Sequence, residues 1–126
     1  AMSAVKGSDI KVFGVTALTS LSDADTKDIF KRTSSEQVNA MLDLAELSKL
    51  DGIVCSPHEL EIVKDRDLFL SITPGIRTHN LKDDQKRTMT PKEAIKLGAD
   101  YLVIGRPITE SVNINKALDE IYKSIQ

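Results

Sequence analysis

The sequence predicts an α/β fold in which four parallel strands alternate with helices. Three observations support this class. Four short apolar runs rich in β-branched residues recur along the chain, each is followed by helix-start chemistry, and no low-complexity stretch or linker divides them. Strict alternation of this kind is typical of a parallel sheet with right-handed crossovers. We therefore expect one domain that spans residues 1–126.

The apolar runs predict the strands. Each is too short for a core helix, is bounded by polar residues and is apolar at consecutive positions, as in strands covered on both faces. The predicted strands are residues 11–18, 52–56, 68–73 and 101–104. Residues 1–9 carry no periodicity, so we expect them to be a frayed lead-in to the first strand.

Capping signals predict the helices. Ser22 with Asp25 and Ser34 with Gln37 read as capping boxes, in which a polar N-cap is followed three residues later by an acid or amide. The segments 56–59 and 90–93 add a proline at the first helical position, and Gly98 closes the second of these helices. The predicted helices cover about residues 22–32, 34–49, 56–64, 90–98 and 113–125. The apolar stripes are Val38, Met41, Leu42, Ala45 and Leu47 in the second helix, and Ile114, Ala117, Leu118, Ile121 and Ile125 in the last.

Composition disfavours several classes of partner. The 17 Lys and Arg residues against 19 Asp and Glu give a net charge of −2, so no basic excess is available for a nucleic acid backbone. No segment approaches the roughly 20 apolar residues of a membrane helix. Cys55 is the single cysteine and no signal peptide opens the chain, so we expect a reducing cytoplasm. The 126 residues amount to about half of a (β/α)8 barrel, which has roughly 250.

The carboxyl ends of the predicted strands are where a ligand would bind. Two of the four ends carry a glycine followed within two residues by an arginine: Gly75 with Arg77, and Gly105 with Arg106. Glycine lets a ligand approach the main chain, and the guanidinium fork matches phosphate oxygens. The long polar loop at 75–89 contains Gln85, an amide donor that could fold over the same anion. These residues predict an anion site.

Ordinary structural roles compete with this interpretation. An arginine after a strand is more often solvated or caps a helix, and Cys55 lies in an apolar run that indicates inert packing. His58 and His79 have no partner at metal-ligand spacing, so we expect both at the surface and predict no metal site. A doubly wound signalling domain has a similar length. It would need a fifth strand, acids after the first strand and an aspartate after the third.

Five ordered sequence blocks carry a family resemblance. They are VTALTS at 15–20, DGIVCS at 51–56, TPGIR at 73–77, DQKR with MTP at 84–91, and VIGRPIT at 103–109. Each resembles the matching block in the carboxyl half of bacterial orotidine 5′-phosphate decarboxylases, and the resemblance runs from about residue 6 to the end of the chain. It implies strands five to eight of a (β/α)8 barrel with their helices.

The same resemblance implies roles for individual residues. Thr19 corresponds to a threonine that contacts the ligand after strand five. Arg77, Gln85, Gly105 and Arg106 match positions that hold the nucleotide phosphate. The family's reaction is cofactor-free loss of CO2 from orotidine monophosphate to give uridine monophosphate. The expected partner is therefore a pyrimidine nucleoside monophosphate or phosphate, with no cofactor.

The family's D-x-K-x-x-D signature, which supplies the catalytic acids and base, has no complete copy in residues 1–126. We therefore expect no catalytic residue and no decarboxylase activity in this chain alone. A non-catalytic module that binds phosphate or nucleotide is the alternative. Four parallel strands would expose two unpaired edges and an apolar face, so we expect a homo-oligomer, with a dimer that closes an eight-stranded ring favoured. Covering of the face by the chain's own helices and lead-in, or a swap between chains, remain open.

Overall fold

A computed structural model describes residues 1–18, 21–77 and 88–126. Its four strands form one parallel sheet in the order β1-β2-β3-β4. They are β1 Phe13–Val15, β2 Gly52–Val54, β3 Leu70–Thr73 and β4 Tyr101–Leu102. This confirms the predicted α/β class. In the described part of the chain the order is sequential and does not reverse, which argues against a doubly wound sheet.

Each strand is followed by one or two helices. They are α1 Asp23–Phe30, α2 Ser34–Leu47, α3 Leu60–Lys64, α4 Pro91–Lys96, α5 Arg106–Thr109 and α6 Ile114–Ser124, with 3-10 turns at Met2–Val5 and Pro57–Glu59. The turn at Met2–Val5 corrects the prediction of a frayed lead-in. None of the helices within the described ranges is long and apolar enough to cross a membrane.

The cap of α2 lies one residue before its predicted position. Thr33 Oγ1 accepts from the Glu36 N–H at 3.2 Å, and Glu36 Oε2 accepts from the Thr33 N–H at 2.8 Å. The predicted Ser34 and Gln37 pair was wrong because the Gln37 side chain is buried, whereas Glu36 is exposed and can turn back to the helix start. The boxes at Ser22 and Thr90 form as predicted.

The core lies between the outer face of the sheet and the helices. It contains Val38, Leu42, Ala45, Ile53, Cys55, Leu60, Val63, Phe69, Ile76, Ala94 and Ala99. Leu47, predicted for the apolar stripe of α2, is 81% exposed because it lies at the end of that helix. Burial raises the pKa of the Cys55 thiol to about 12, so this side chain acts as inert packing.

The inner face of the sheet is concave. Register pairing aligns Phe13 with Gly52 and aligns Ile72 with Tyr101, so all four residues point to this face. Phe13 lies on one edge strand and Tyr101 on the other, yet their ring centroids are 6.5 Å apart in an edge-to-face contact. A side chain at Gly52 would overlap the Phe13 ring. The sheet therefore curls far enough for residues of its two edge strands to meet.

Candidate functional site

Buried polar side chains gather at the carboxyl-terminal edge of the sheet. They are Thr16, Ser56, Glu59, Thr73 and Arg77. Each follows or ends one of the first three strands, so the sheet itself brings them to one edge. Buried polar groups are costly unless they are hydrogen-bonded, and parallel sheets bind ligands at this edge. The described residues thus place polar chemistry where the sequence predicted a site.

Arg77 is held in the interior at the end of β3. The residue is 7% exposed, its Nη1 donates to the Ile76 carbonyl at 3.0 Å, and its N–H donates to the Met89 carbonyl at 3.0 Å. Ile76 and Met89 also form a parallel bridge, which joins the two ends of the long loop. Gly75 has a φ of 81°, a conformation that glycine adopts without strain. Burial argues against the alternative that Arg77 is a solvated surface side chain.

The Gly105 and Arg106 pair lies at the end of the neighbouring strand. Thr73 pairs with Leu102, and the Val103 N–H donates to the Thr73 carbonyl at 2.9 Å, so β3 and β4 end side by side. A Cβ added at Gly105 would meet no described atom within 4 Å, which leaves the main chain there open to a ligand. Arg106 is half-buried and begins α5, a short helix that the sequence had not predicted. Proline is accepted in the first turn of a helix, and Pro107 stands there.

Two of the predicted site residues, Thr19 and Gln85, lie outside the described residues, as does His79. Their roles therefore stay predictions. His58 is exposed, as the sequence predicted. Within the described ranges, no group of three or more His, Cys, Asp and Glu side chains is arranged to hold a metal ion.

Glu59 is a buried carboxylate whose position in the sequence had indicated only a helix start. Its Oε2 accepts a hydrogen bond from Thr16 Oγ1 at 3.1 Å and another from the Ser56 N–H at 3.1 Å. Glu59 therefore joins the residue after β1 to the turn after β2. The signal that could have found it is its position, because a capping acid three residues after the predicted strand end at Ser56 lies at the carboxyl-terminal edge of the sheet.

Comparison with known proteins identifies the family. The model of the "Orotidine 5'-phosphate decarboxylase / HUMPS family" matches residues 1–121. The chain belongs to this family. Among curated orotidine 5′-phosphate decarboxylases, that of Wolbachia pipientis is 48% identical over 99% of this chain and 57% of its own length. That of Coxiella burnetii is 48% identical over 91% of this chain and 50% of its own length.

Solved structures agree with the sequence relatives. The orotidine 5′-phosphate decarboxylase of Lactobacillus acidophilus superposes with a TM-score of 0.75 at 34% identity, and the match covers 96% of this chain and 52% of that one. An uncharacterized conserved protein of Geobacillus kaustophilus gives a TM-score of 0.74 at 28% identity. The chain thus spans about half the length of its decarboxylase relatives, which confirms the prediction of half a (β/α)8 barrel.

Proposed function

We propose that residues 1–126 form the phosphate-binding half of an orotidine 5′-phosphate decarboxylase. The half corresponds to strands five to eight of the barrel. Its ligand is a pyrimidine nucleoside monophosphate, either orotidine monophosphate or uridine monophosphate. One observation carries the proposal: Arg77 and the Gly105-Arg106 pair follow neighbouring strands of a parallel sheet, at the edge where such sheets bind ligands.

The chemistry of these residues suits a phosphate. The two guanidinium groups supply positive charge and paired N–H donors, and the open main chain at Gly105 lets phosphate oxygens approach closely. Arg77 is already held by the Ile76 carbonyl, so less side-chain entropy is lost when an anion binds. We assign Thr19 and Gln85 to the same ligand on the strength of their sequence blocks.

The catalytic part of the family's reaction would come from groups that residues 1–126 do not contain. Phosphate contacts stabilise a transition state only when reacting groups are present to use that binding energy. The D-x-K-x-x-D motif is absent from these residues, so we propose that the chain alone binds nucleotide and does not turn it over. The proposed reaction, loss of CO2 from the pyrimidine, needs no cofactor.

A titration beside a turnover assay tests this function. We expect the pure chain to bind uridine monophosphate more tightly than inorganic phosphate, and to release no CO2 from orotidine 5′-monophosphate above the buffer rate. Calorimetry measures the first and uridine monophosphate formation the second. Absence of nucleotide binding would contradict the binding role, and steady turnover would contradict the missing catalytic half.

A non-catalytic nucleotide-binding module is the second candidate, and the absence of the motif from residues 1–126 favours it. Complementation separates the two. The amino-terminal part of the Wolbachia relative, beyond the 57% of that protein that this chain covers, would be added to the chain in trans. Restored turnover supports a decarboxylase half, whereas binding that never yields turnover supports the module.

We also propose that two copies of the chain associate through the concave inner face and the open edges of the sheet. Val15, Tyr101 and Val103 face this side and are about half exposed, at 54%, 52% and 48%. Unpaired strand edges beside an apolar face favour association. The proposed compartment is the cytoplasm, because the chain's one cysteine is buried and has no second cysteine to pair with.

A further inference from the structure

Glu59 combines burial, charge and position at the carboxyl-terminal edge of the sheet. We propose that it is a positioning residue of the nucleotide site: without touching the ligand, its carboxylate ties the chain after β1 to the turn after β2. This inference rests on the proposed function. It concerns the segment that leaves β1 and runs into Thr19, the residue we assign to the ligand.

The contacts that carry the inference are both buried. Glu59 is 4% exposed and Thr16 is 7% exposed. One carboxylate oxygen of Glu59 accepts from both Thr16 Oγ1 and the Ser56 N–H, each at 3.1 Å. Thr16 is the first residue after β1, and its N–H donates to the Val54 carbonyl at 3.3 Å. The carboxylate thus fixes the hydrogen bonds at the carboxyl end of β1, three residues before Thr19 in the sequence.

Holding two loops together with a buried carboxylate has a high cost in free energy. Removing a charge from water costs several kcal/mol in real proteins, and apolar side chains of the same volume often stabilise a fold as well or better. A charged acceptor does provide short, directional hydrogen bonds that fix geometry. Geometry matters at a ligand edge, since small displacements of binding groups weaken the contacts they support. We therefore assign Glu59 the role of aligning the chain after β1 with the turn after β2.

The amino-terminal end of the strands supplies a matched control. Ser71 in β3 is also fully buried, and its Oγ donates to Asp100 Oδ2 at 2.9 Å. Loss of the Ser71 hydroxyl removes a bond from a hydroxyl to a carboxylate, as loss of the Thr16 hydroxyl does. The bond between Ser71 and Asp100, however, lies at the starts of β3 and β4, at the opposite end of the strands from Arg77 and Arg106. A purely structural role predicts that the two losses have the same consequences.

The test compares Thr16→Val, Thr16→Ser and Ser71→Ala by titration with uridine monophosphate and by thermal melting. We expect Thr16→Val to weaken binding of uridine monophosphate about tenfold. Thr16→Ser keeps the hydroxyl, so its affinity should stay within about twofold of that of the original chain. Ser71→Ala should lower the melting temperature but leave the affinity within about twofold. Equal affinity of Thr16→Val and the original chain would overturn the inference.

Hydrogen exchange of the ligand-free chain separates this inference from the function on which it rests. In Thr16→Val, the amides of residues 17–22 should exchange several times faster, whereas Thr16→Ser and Ser71→Ala should leave them unchanged. Unchanged exchange in Thr16→Val overturns the positioning role even if nucleotide binds. If the original chain binds no nucleotide but its exchange responds as expected, the proposed function fails and the mechanical link between Glu59 and this segment stands.

Discussion

Asp100 joins three groups at the amino-terminal edge of the sheet. Its Oδ2 accepts from Lys64 Nζ at 2.5 Å, from the Ser71 N–H at 2.7 Å and from Ser71 Oγ at 2.9 Å. Partial burial raises the pKa of the Asp100 carboxyl, but the hydrogen bonds from Lys64 and Ser71, with the lysine's charge, outweigh burial and hold the pKa below its usual value. The carboxylate thereby links α3 to the starts of β3 and β4.

Asp100→Asn tests this link through its pH dependence. A carboxyl whose pKa is lower in the folded chain stabilises the fold fully at a pH above its pKa in the unfolded chain, about 3.9. This stability is lost as the pH falls through the pKa of the carboxyl in the folded chain. We expect Asp100→Asn to lower the free energy of unfolding at pH 7 by about 1–2 kcal/mol, discounted for partial exposure, and the deficit to shrink below about pH 4.

The measurement is urea unfolding between pH 3 and pH 7, with Asp9→Asn as the control because Asp9 is an exposed carboxylate near the amino terminus. A deficit that persists unchanged at low pH would show that the asparagine acts by altered packing and not by the loss of charge.

Single residues also show how far sequence reasoning reached into the site. The location of Arg77, Gly105 and Arg106 after strand ends was predictable because apolar runs and glycine-arginine spacing are visible in the sequence, whereas their role in binding stays a prediction. Glu59 and Thr16 were not predicted as interior partners, because their hydrogen bond joins residues 43 positions apart in sequence. Long-range pairing depends on strand register, which the sequence specifies only through the complete fold.

The type of the helices and strands was more predictable from the sequence than their bounds were. Cap chemistry gave the starts of α1 and α4, since polar caps act locally. The one-residue shift at α2 arose because two adjacent residues, Thr33 and Ser34, offer equivalent hydroxyls, and burial of Gln37 decided between them. Strands are shorter than the apolar runs because residues beyond the paired segments turn toward the next element while still contributing to the core.

At the scale of the whole molecule, the curl of the sheet is the property that composition and periodicity could not give. The contact between Phe13 and Tyr101 depends on Gly52, which leaves room for the phenylalanine ring on the concave face. A sheet curled in this way has two open edge strands and an inner face with half-exposed apolar side chains. The open edges and the apolar inner face both result from the fold, and the self-association that we propose therefore follows from the fold as well.

Sedimentation at micromolar concentration tests that association. We expect a dimer for the original chain and a shift to monomer for Val103→Asp, because a charge on the inner face disfavours its burial against a second copy. Leu47→Asp is the control, since Leu47 is 81% exposed at the end of α2 and not on the inner face. A monomeric original chain under these conditions would refute the dimer.

The central claim is that the strand-end arginines of this chain hold a nucleotide phosphate, and titration of Arg106→Ala with uridine monophosphate tests it most directly. The matched control is Arg32→Ala, which removes an exposed arginine beyond α1. We predict that Arg106→Ala weakens binding by about 2–5 kcal/mol, or at least about thirtyfold in Kd, while Arg32→Ala leaves it within about twofold. Unchanged affinity in Arg106→Ala, with binding by the original chain intact, would contradict the claim.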